Sequence, residues 1–183
     1  MFRKFSREEH VKTFSKVKSS EQRAIRAQIA QQYPALDEHI DDILPKKEPL
    51  FVAKCTDYRQ IVCQPDGECV FFQCRSGPFI PTLRLLHRYS DILPKYTVDR
   101  GAIRFVLSGA NIMSPGLTSA GGAMDDVPAD EIVGIFAEGK EHALAIGVTT
   151  QSTEQIRTEN KGIAVESTHY LNDALWTLRA LQG

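Results

Sequence analysis

An α+β chain of two domains is the expectation from this sequence, with helices on a small antiparallel sheet first and a compact, mostly β, barrel-like domain second. Three observations predict it. The 183 residues suffice for one large domain or two small ones, each with a modest core. Apolar periodicity is helical to about residue 45 and mostly strand-like beyond. The run Ser90-Asp91-Ile92-Leu93-Pro94-Lys95 breaks the pattern and sets the boundary, giving domains 1–93 and 94–183.

Taken in order, Ser19 followed three residues later by Gln22 predicts a capping box that opens a helix. Ile25, Ile29 and Tyr33 then share one face. Pro34 suits the first turn of a second helix. Leu36, Ile40, Ile43 and Leu44 form its apolar stripe, Asp37, Glu38, Asp41 and Asp42 its wet side, and Pro45 stops it. Strands are expected at 50–55, 59–64 and 68–74, the last two joined as a hairpin by Pro65-Asp66-Gly67. After Pro81 a short helix reads TLRLLHRY, with Leu83, Leu86 and Tyr89 inward.

In the second half, 96–98 reads as a short strand and Asp99 as the N-cap of a helix over 100–108. Ile103, Val106 and Leu107 are spaced to face inward, and Gly109 sits where a left-handed C′ residue is wanted. Residues 110–113 form a strand ended by a Ser114-Pro115-Gly116 turn. Near-continuous apolar strands follow at 131–137 and 144–149, then a capped helix at 152–159 and a strand at 162–166. Trp176 is expected to pack against the barrel and close it.

Composition narrows the function class. Apolar content of 42% and charged content of 25% are ordinary for a globular protein, and no run of about 18 apolar residues predicts a membrane span. The start, MFRKFSREEHVK, is too charged for a secretory signal, so a cytoplasmic protein is expected. Cys55, Cys63, Cys69 and Cys74 are separated by seven, five and four residues, without a C-x-x-C pair. Reduced, half-buried thiols are the plain reading; a zinc site or a disulfide is the alternative.

The net charge of −1 conceals an asymmetry: residues 1–100 carry +4 and 101–183 carry −5. Residues 1–30 alone carry +5, from a segment that includes Arg3, Lys4, Lys12, Lys16, Lys18, Arg23 and Arg26. Such a cluster is either a footprint for a polyanion or a solvated helical face.

The stretch GAIRFVLSGANIMSPGLTSAGG, 101–122, holds five glycines, one proline and a single charge. It contains neither the P-loop nor the G-x-G-x-x-G fingerprint, which removes the two common nucleotide cradles. Gly109 as a cap and Pro115-Gly116 as a turn explain most of it structurally. Arg100, Arg104 and Ser108 remain, four apart on one side of the helix. Two arginines so placed repel, and either an anionic partner or Asp99 would relieve them.

TVDRGAIRFVLSGANIMSPGLT resembles the opening of a PUA domain, the small RNA-binding barrel of pseudouridine synthases and archaeosine transglycosylases. The pattern falls on Val98, Asp99, Gly101-Ala102, Gly109-Ala110-Asn111, Ile112-Met113 and Pro115-Gly116, and continues weakly through AEGKEHALAIGV. The wider chain is similar to the malignant T-cell-amplified sequence 1 family, called translation machinery-associated protein 20 in yeast. That likeness lies in MFRKF, PKKEP, GPFIPTLRLLH, DILP, NKGIAVE and HYLNDALW, with 123–130 and 151–159 matching least.

The resemblance implies an N-terminal α/β domain packed on a C-terminal PUA pseudo-barrel. It implies a non-enzymatic RNA-binding factor that pairs with density-regulated protein on the small ribosomal subunit, without cofactor, metal or membrane. Its implied roles are subunit recycling with release of deacylated tRNA, reinitiation and non-standard initiation. RNA contacts are then expected from Arg100, Gly101, Arg104, Ser108, Gly109, Ala110, Asn111, Pro115, Gly116 and Leu117, with backbone N–H groups near Gly109 and Gly116 helping to hold phosphate or a tRNA end. The basic N-terminal segment would meet the ribosome. Phe71, Phe72, Phe79 and Ile80, around Gly77-Pro78, are either an exposed partner patch or ordinary core. An adaptor with incidental RNA affinity and an accessory subunit of an RNA-modifying enzyme are the alternatives. Against an enzyme, no nucleophile–base set is recognisable, and His87 and His169 read as surface or interface residues.

Overall fold

The computed structural model describes residues 1–182, which form two compact units. One comprises 5–85 with 178–182; the other comprises 1–4 with 86–177. This differs from a division at residue 93 in three places, each for a local reason. Phe2 is fully buried and its carbonyl accepts from Ala174 N at 3.1 Å, which ties the first residues to the second unit. Leu181 is buried and its N–H donates to Gly67 O at 2.8 Å, which ties the last residues to the first unit. The chain passes between units inside one short helix, at Leu86.

In the first unit a single turn, α1 (Arg7–His10), leads into β1 (Val11–Lys16). The strand is not predicted because Val11 and Phe14, its half-buried apolar residues, are three apart. A bulge at Val11/Thr13 restores them to the pairing with β2 (Phe51–Cys55). Helix α2 (Ser19–Gln32) buries Ile25 and Ile29 as its periodicity requires, with Tyr33 buried at its end. Its N-cap is Lys18, without a side-chain cap. The expected Ser19–Gln22 capping box does not form, because the helix begins one residue earlier and Gln22 N donates to Lys18 O at 2.9 Å, while Gln22 Nε2 donates to Pro45 O and Glu48 O at 3.0 and 2.9 Å. The second helix is instead a 3-10 turn, Pro34–Leu36, and one α turn, α3 (Ile40–Ile43).

Strands β3 (Arg59–Cys63), β4 (Cys69–Cys74) and β5 (Ile80–Pro81) complete an antiparallel sheet in the order β1-β2-β3-β4-β5. Helix α4 (Leu83–Arg88) follows, with Leu83, Leu85 and Leu86 buried and Tyr89 half-buried after it. Phe71, Phe72, Phe79 and Ile80 are 0, 0, 1 and 6% exposed. The expected partner patch is therefore core. Tyr33 stacks on Phe71 with ring centroids 6.1 Å apart, and Tyr33 Oη donates to Phe79 O. The four thiols are free, and Cys63 and Cys69 sit with sulfurs 3.8 Å apart. Burial pushes the Cys55 thiol up to about 11, against the pull of Arg59, and the hydrogen bond with Cys69 and burial push Cys63 up as well.

The second unit begins its sheet with β6 (Lys95–Val98). A 3-10 turn, Arg100–Ala102, then runs into α5 (Ile103–Leu107). β7 (Ile112–Met113), α6 (Ser114–Thr118) and β8 (Ala123–Met124) come next. The expected Ser-Pro-Gly turn is thus the first turn of a helix, with proline in a favoured N-terminal position. β9 (Ile132–Ala137), β10 (Ala145–Thr149), α7 (Thr153–Glu159), β11 (Ile163–Tyr170) and α8 (Ala174–Leu178) complete the order. The sheet runs β7-β11-β10-β9-β6-β8, with β6–β9 parallel and the other pairs antiparallel. Its core holds Tyr96, Val98, Val133, Ile135, Ile156 and Val165. Strand β11 extends four residues past the expected end, through a polar stretch that its apolar pattern does not announce. Trp176 is half-buried beside His87, ring centroids 5.4 Å apart, and lies outside that core. No helix among the described residues is long and apolar enough to cross a membrane.

Candidate nucleic-acid interface

The candidate site is built on the second unit, where β6 gives way to α5. Asp99 caps the turn: its Oδ1 accepts from Ala102 N at 3.0 Å. Ser119 Oγ donates to the other carboxylate oxygen, and Asp99 N donates to Gly116 O at 3.0 Å. Asp99 is therefore committed to its own backbone and to Ser119. It does not pair with the arginines beside it. Arg100 and Arg104 are both exposed, and neither has an ion-pair partner among the described residues. Arg104 holds its guanidinium 4.7 Å from the Phe105 ring centroid.

The other end of α5 is closed by a Schellman motif. Gly109 N donates to Val106 O and Ala110 N to Phe105 O, at 3.0 and 3.1 Å, with Gly109 at φ 85°. These two N–H groups are consumed by the cap, so the expected phosphate contact from the Gly109 backbone is corrected. Gly109 is also required by packing, since a Cβ there would lie 2.7 Å from the Tyr170 ring. Ser108 Oγ donates to Phe105 O at 2.7 Å. A Cβ on Gly116 would meet Ala102 Cβ at an ordinary 3.5 Å, so nothing in the fold demands glycine there.

Between α5, β7 and α6 lies a groove of about 720 Å³. Its walls include Gly101, Ala102, Phe105, Ala110, Asn111, Met113, Pro115, Gly116 and Ile163. Phe105, Met113 and Ile163 are 52, 48 and 40% exposed. Asn111 Oδ1 accepts from Ser167 N at 3.0 Å, which holds the edge strand β7 near β11. Of the ten expected RNA contacts, the structure gathers Gly101, Ala110, Asn111, Pro115 and Gly116 on this groove, with Arg100, Arg104 and Ser108 exposed beside it, on the 3-10 turn, on α5 and at its C-cap. Leu117 is 1% exposed and belongs to the core, and Leu107, expected inward, is 38% exposed. Phe105, Met113 and Ile163 were missed. The signal for Phe105 was present: an inward face at 103 and 106 leaves 105 pointing out.

The basic N-terminal segment does not form one helical face. Lys12 and Lys16 lie exposed on β1, Lys18 precedes α2, and Arg23 is exposed on α2. Arg3 and Lys4 belong to the other unit. Arg26 is buried at 9% exposure, and its guanidinium meets Asp41 Oδ1 at 2.5 Å and Ile40 O at 3.4 Å, so it is withdrawn from any polyanion surface. Arg23 and Lys46 flank a separate pocket of about 440 Å³. His169, expected at the surface or an interface, is 1% exposed and bonds Asp173 Oδ2 through Nδ1 at 2.7 Å, a buried structural pair. His87 is half-buried, with Nε2 2.8 Å from Ala143 O. Among the described residues no three His, Cys, Asp or Glu side chains are placed to hold a metal ion.

Comparison with known proteins gives a Pre-PUA-like domain over 5–89 and a PUA domain over 94–171. The malignant T-cell-amplified sequence 1 homolog of Drosophila melanogaster is 51% identical over 96% of this chain and 97% of its own. Translation machinery-associated protein 20 of Eremothecium gossypii is 50% identical over 96% of this chain and 97% of its own. Among solved structures, a hypothetical protein of Pyrococcus horikoshii OT3 superposes with a TM-score of 0.72 at 25% identity, covering 92% of this chain and all of that one. A PUA domain protein of Aeropyrum pernix K1, solved with tartrate, gives 0.69 at 22% identity, covering 91% and 90%.

Proposed function

Because the chain belongs to the malignant T-cell-amplified sequence 1 family and carries a PUA domain, we propose that it is a non-enzymatic, RNA-binding factor of the translation machinery. In this reading it acts in the cytoplasm on the small ribosomal subunit, as a heterodimer with density-regulated protein. It promotes release of deacylated tRNA and recycling of post-termination subunits, reinitiation and non-standard initiation. The family relationship and the PUA domain support the translation and RNA parts of this reading.

One observation carries the site: two arginines without carboxylate partners among the described residues, four apart on the 3-10 turn and α5, which border a groove with exposed apolar walls. Unneutralised guanidinium groups favour phosphate oxygens. The groove has room for an unstacked base at an RNA end, which Phe105, Met113 and Ile163 would contact. Arg100 and Arg104 thus position the backbone while the groove takes what leaves the stack. The exposed basic residues of 12–23, with Lys46, add charge on the Pre-PUA-like domain and compensate a second half whose net charge is −5.

Sedimentation with purified small subunits, with and without density-regulated protein, tests this. Wild type is expected in the subunit pellet at physiological salt, and the Arg100→Ala/Arg104→Ala protein largely in the supernatant. Equal pelleting of both moves the contact away from α5. Absence of wild type from the pellet, with its partner present, sinks the translation-factor reading.

A further inference from the structure

The connection between β2 and β3 is a three-residue turn, Thr56–Tyr58, in which Asp57 and Tyr58 both stand at φ 58°. Left-handed backbone is uncommon for residues with a β-carbon and is opposed for a bulky aromatic. Burial does not account for it, because Tyr58 is 75% exposed. It is the one large apolar side chain so exposed among the described residues of 5–85.

A second hairpin tip meets it. Arg75, after β4, is itself left-handed at φ 57°. Its backbone N–H donates to Tyr58 O at 2.7 Å, and its guanidinium carbon lies 5.3 Å from the Tyr58 ring centroid. The adjacent carboxylate is already taken: Asp57 Oδ2 pairs with Arg59 at 2.8 Å. Arg75 has no carboxylate partner among the described residues. Two strained tips therefore hold an exposed ring and an uncompensated cation in one place.

We infer that Tyr58 and Arg75 form a second RNA contact, on the Pre-PUA-like domain. One unpaired base stacks on the open face of the Tyr58 ring, and a neighbouring phosphate meets the Arg75 guanidinium. This rests on the RNA-binding reading above and adds a site on the other domain. A protein-binding hot spot sets its aromatic within an apolar surround that excludes water. Here the neighbours at the tips, Asp57, Arg75 and Ser76, are exposed and polar, and Lys54 is exposed on β2. A lone ring beside free positive charge suits a stacked base and its phosphate.

The test is fluorescence anisotropy of a labelled oligouridylate of about ten nucleotides, titrated with the full chain. Tyr58→Ala is expected to weaken binding about 5- to 20-fold, and Tyr58→Phe, which keeps the ring, to stay within about twofold. Tyr58→Gly accepts the left-handed turn without strain, so it removes the ring from a fold at least as stable and is expected to weaken binding as alanine does. Arg75→Ala is expected to flatten the log–log salt dependence by about 0.7, one single-strand phosphate contact. The series is repeated in the Arg100→Ala/Arg104→Ala background, so that the groove on the other domain does not mask the result. Unchanged affinity of Tyr58→Gly in both backgrounds overturns the inference and leaves the wider reading standing. Retained RNA affinity with lost binding of density-regulated protein overturns it in favour of a protein contact. Failure of wild type to bind the RNA overturns the RNA-binding reading itself, and this site with it.

Discussion

Gly109 meets two demands at once: a backbone at φ 85° that closes α5, and the absence of a β-carbon that would stand 2.7 Å from the Tyr170 ring. Gly109→Ala is expected to cost about 2–4 kcal/mol, combining left-handed strain with overpacking. Gly116→Ala, with only an ordinary 3.5 Å contact to Ala102, is expected to change stability by less than about 1 kcal/mol. Urea unfolding of the two variants checks this, and equal midpoints would remove the steric argument. The capping role of Gly109 was legible, because Gly after an amphipathic helix is a local signal. The Tyr170 contact was not, because it joins residues 61 positions apart by a fold that local rules do not supply. Arg26 makes the same point for charge. Its pairing with Asp41 depends on how the segment after α2 turns back.

At the scale of elements, agreement follows the strength of local chemistry. Helix α7 forms where Ser152 and Gln155 predict it, and the reciprocal capping box is present, with Gln155 N donating to Ser152 Oγ at 3.2 Å. Ser152→Ala is expected to destabilise the second unit by about 1 kcal/mol, read from its thermal or urea transition. No change would mean that the buried Thr153 and Ile156 hold this helix end without its cap. The Ser19–Gln22 pattern is identical in form, yet Gln22 reaches Pro45 and Glu48 carbonyls instead. Gln22 N, the donor a cap at Ser19 would need, is already bonded to Lys18 O at 2.9 Å. Strand β1 carries no period-two signal because its bulge breaks the pattern. The apolar run of β4 announces a strand but not its depth: Phe71 and Phe72 lie on a strand flanked on both sides, and both are fully buried.

At the scale of the whole chain, sequence order and structural grouping part company. Residues 178–182 return to the first unit, where Glu68 bridges Ala180 and Leu181 N meets Gly67 O. Leu181→Ala, at a side chain 1% exposed, is expected to cost the first unit about 2–5 kcal/mol. Hydrogen exchange is expected to lose protection within 5–85 and to keep it within 94–170. Loss spread evenly over both units would contradict the grouping. For function, the family, the caps at Asp99, Gly109 and Ser152, and the helical segment that carries Arg100 and Arg104 can be read from the sequence alone, since those signals lie within a few residues of one another. Tertiary structure alone decided which of those residues reach solvent. It buried Leu117 and the Phe71–Ile80 set, withdrew Arg26, opened the groove at Phe105, Met113 and Ile163, and placed Tyr58 against Arg75. Burial and pairing are properties of residues distant in the chain, and only the folded arrangement brings them within reach of one another.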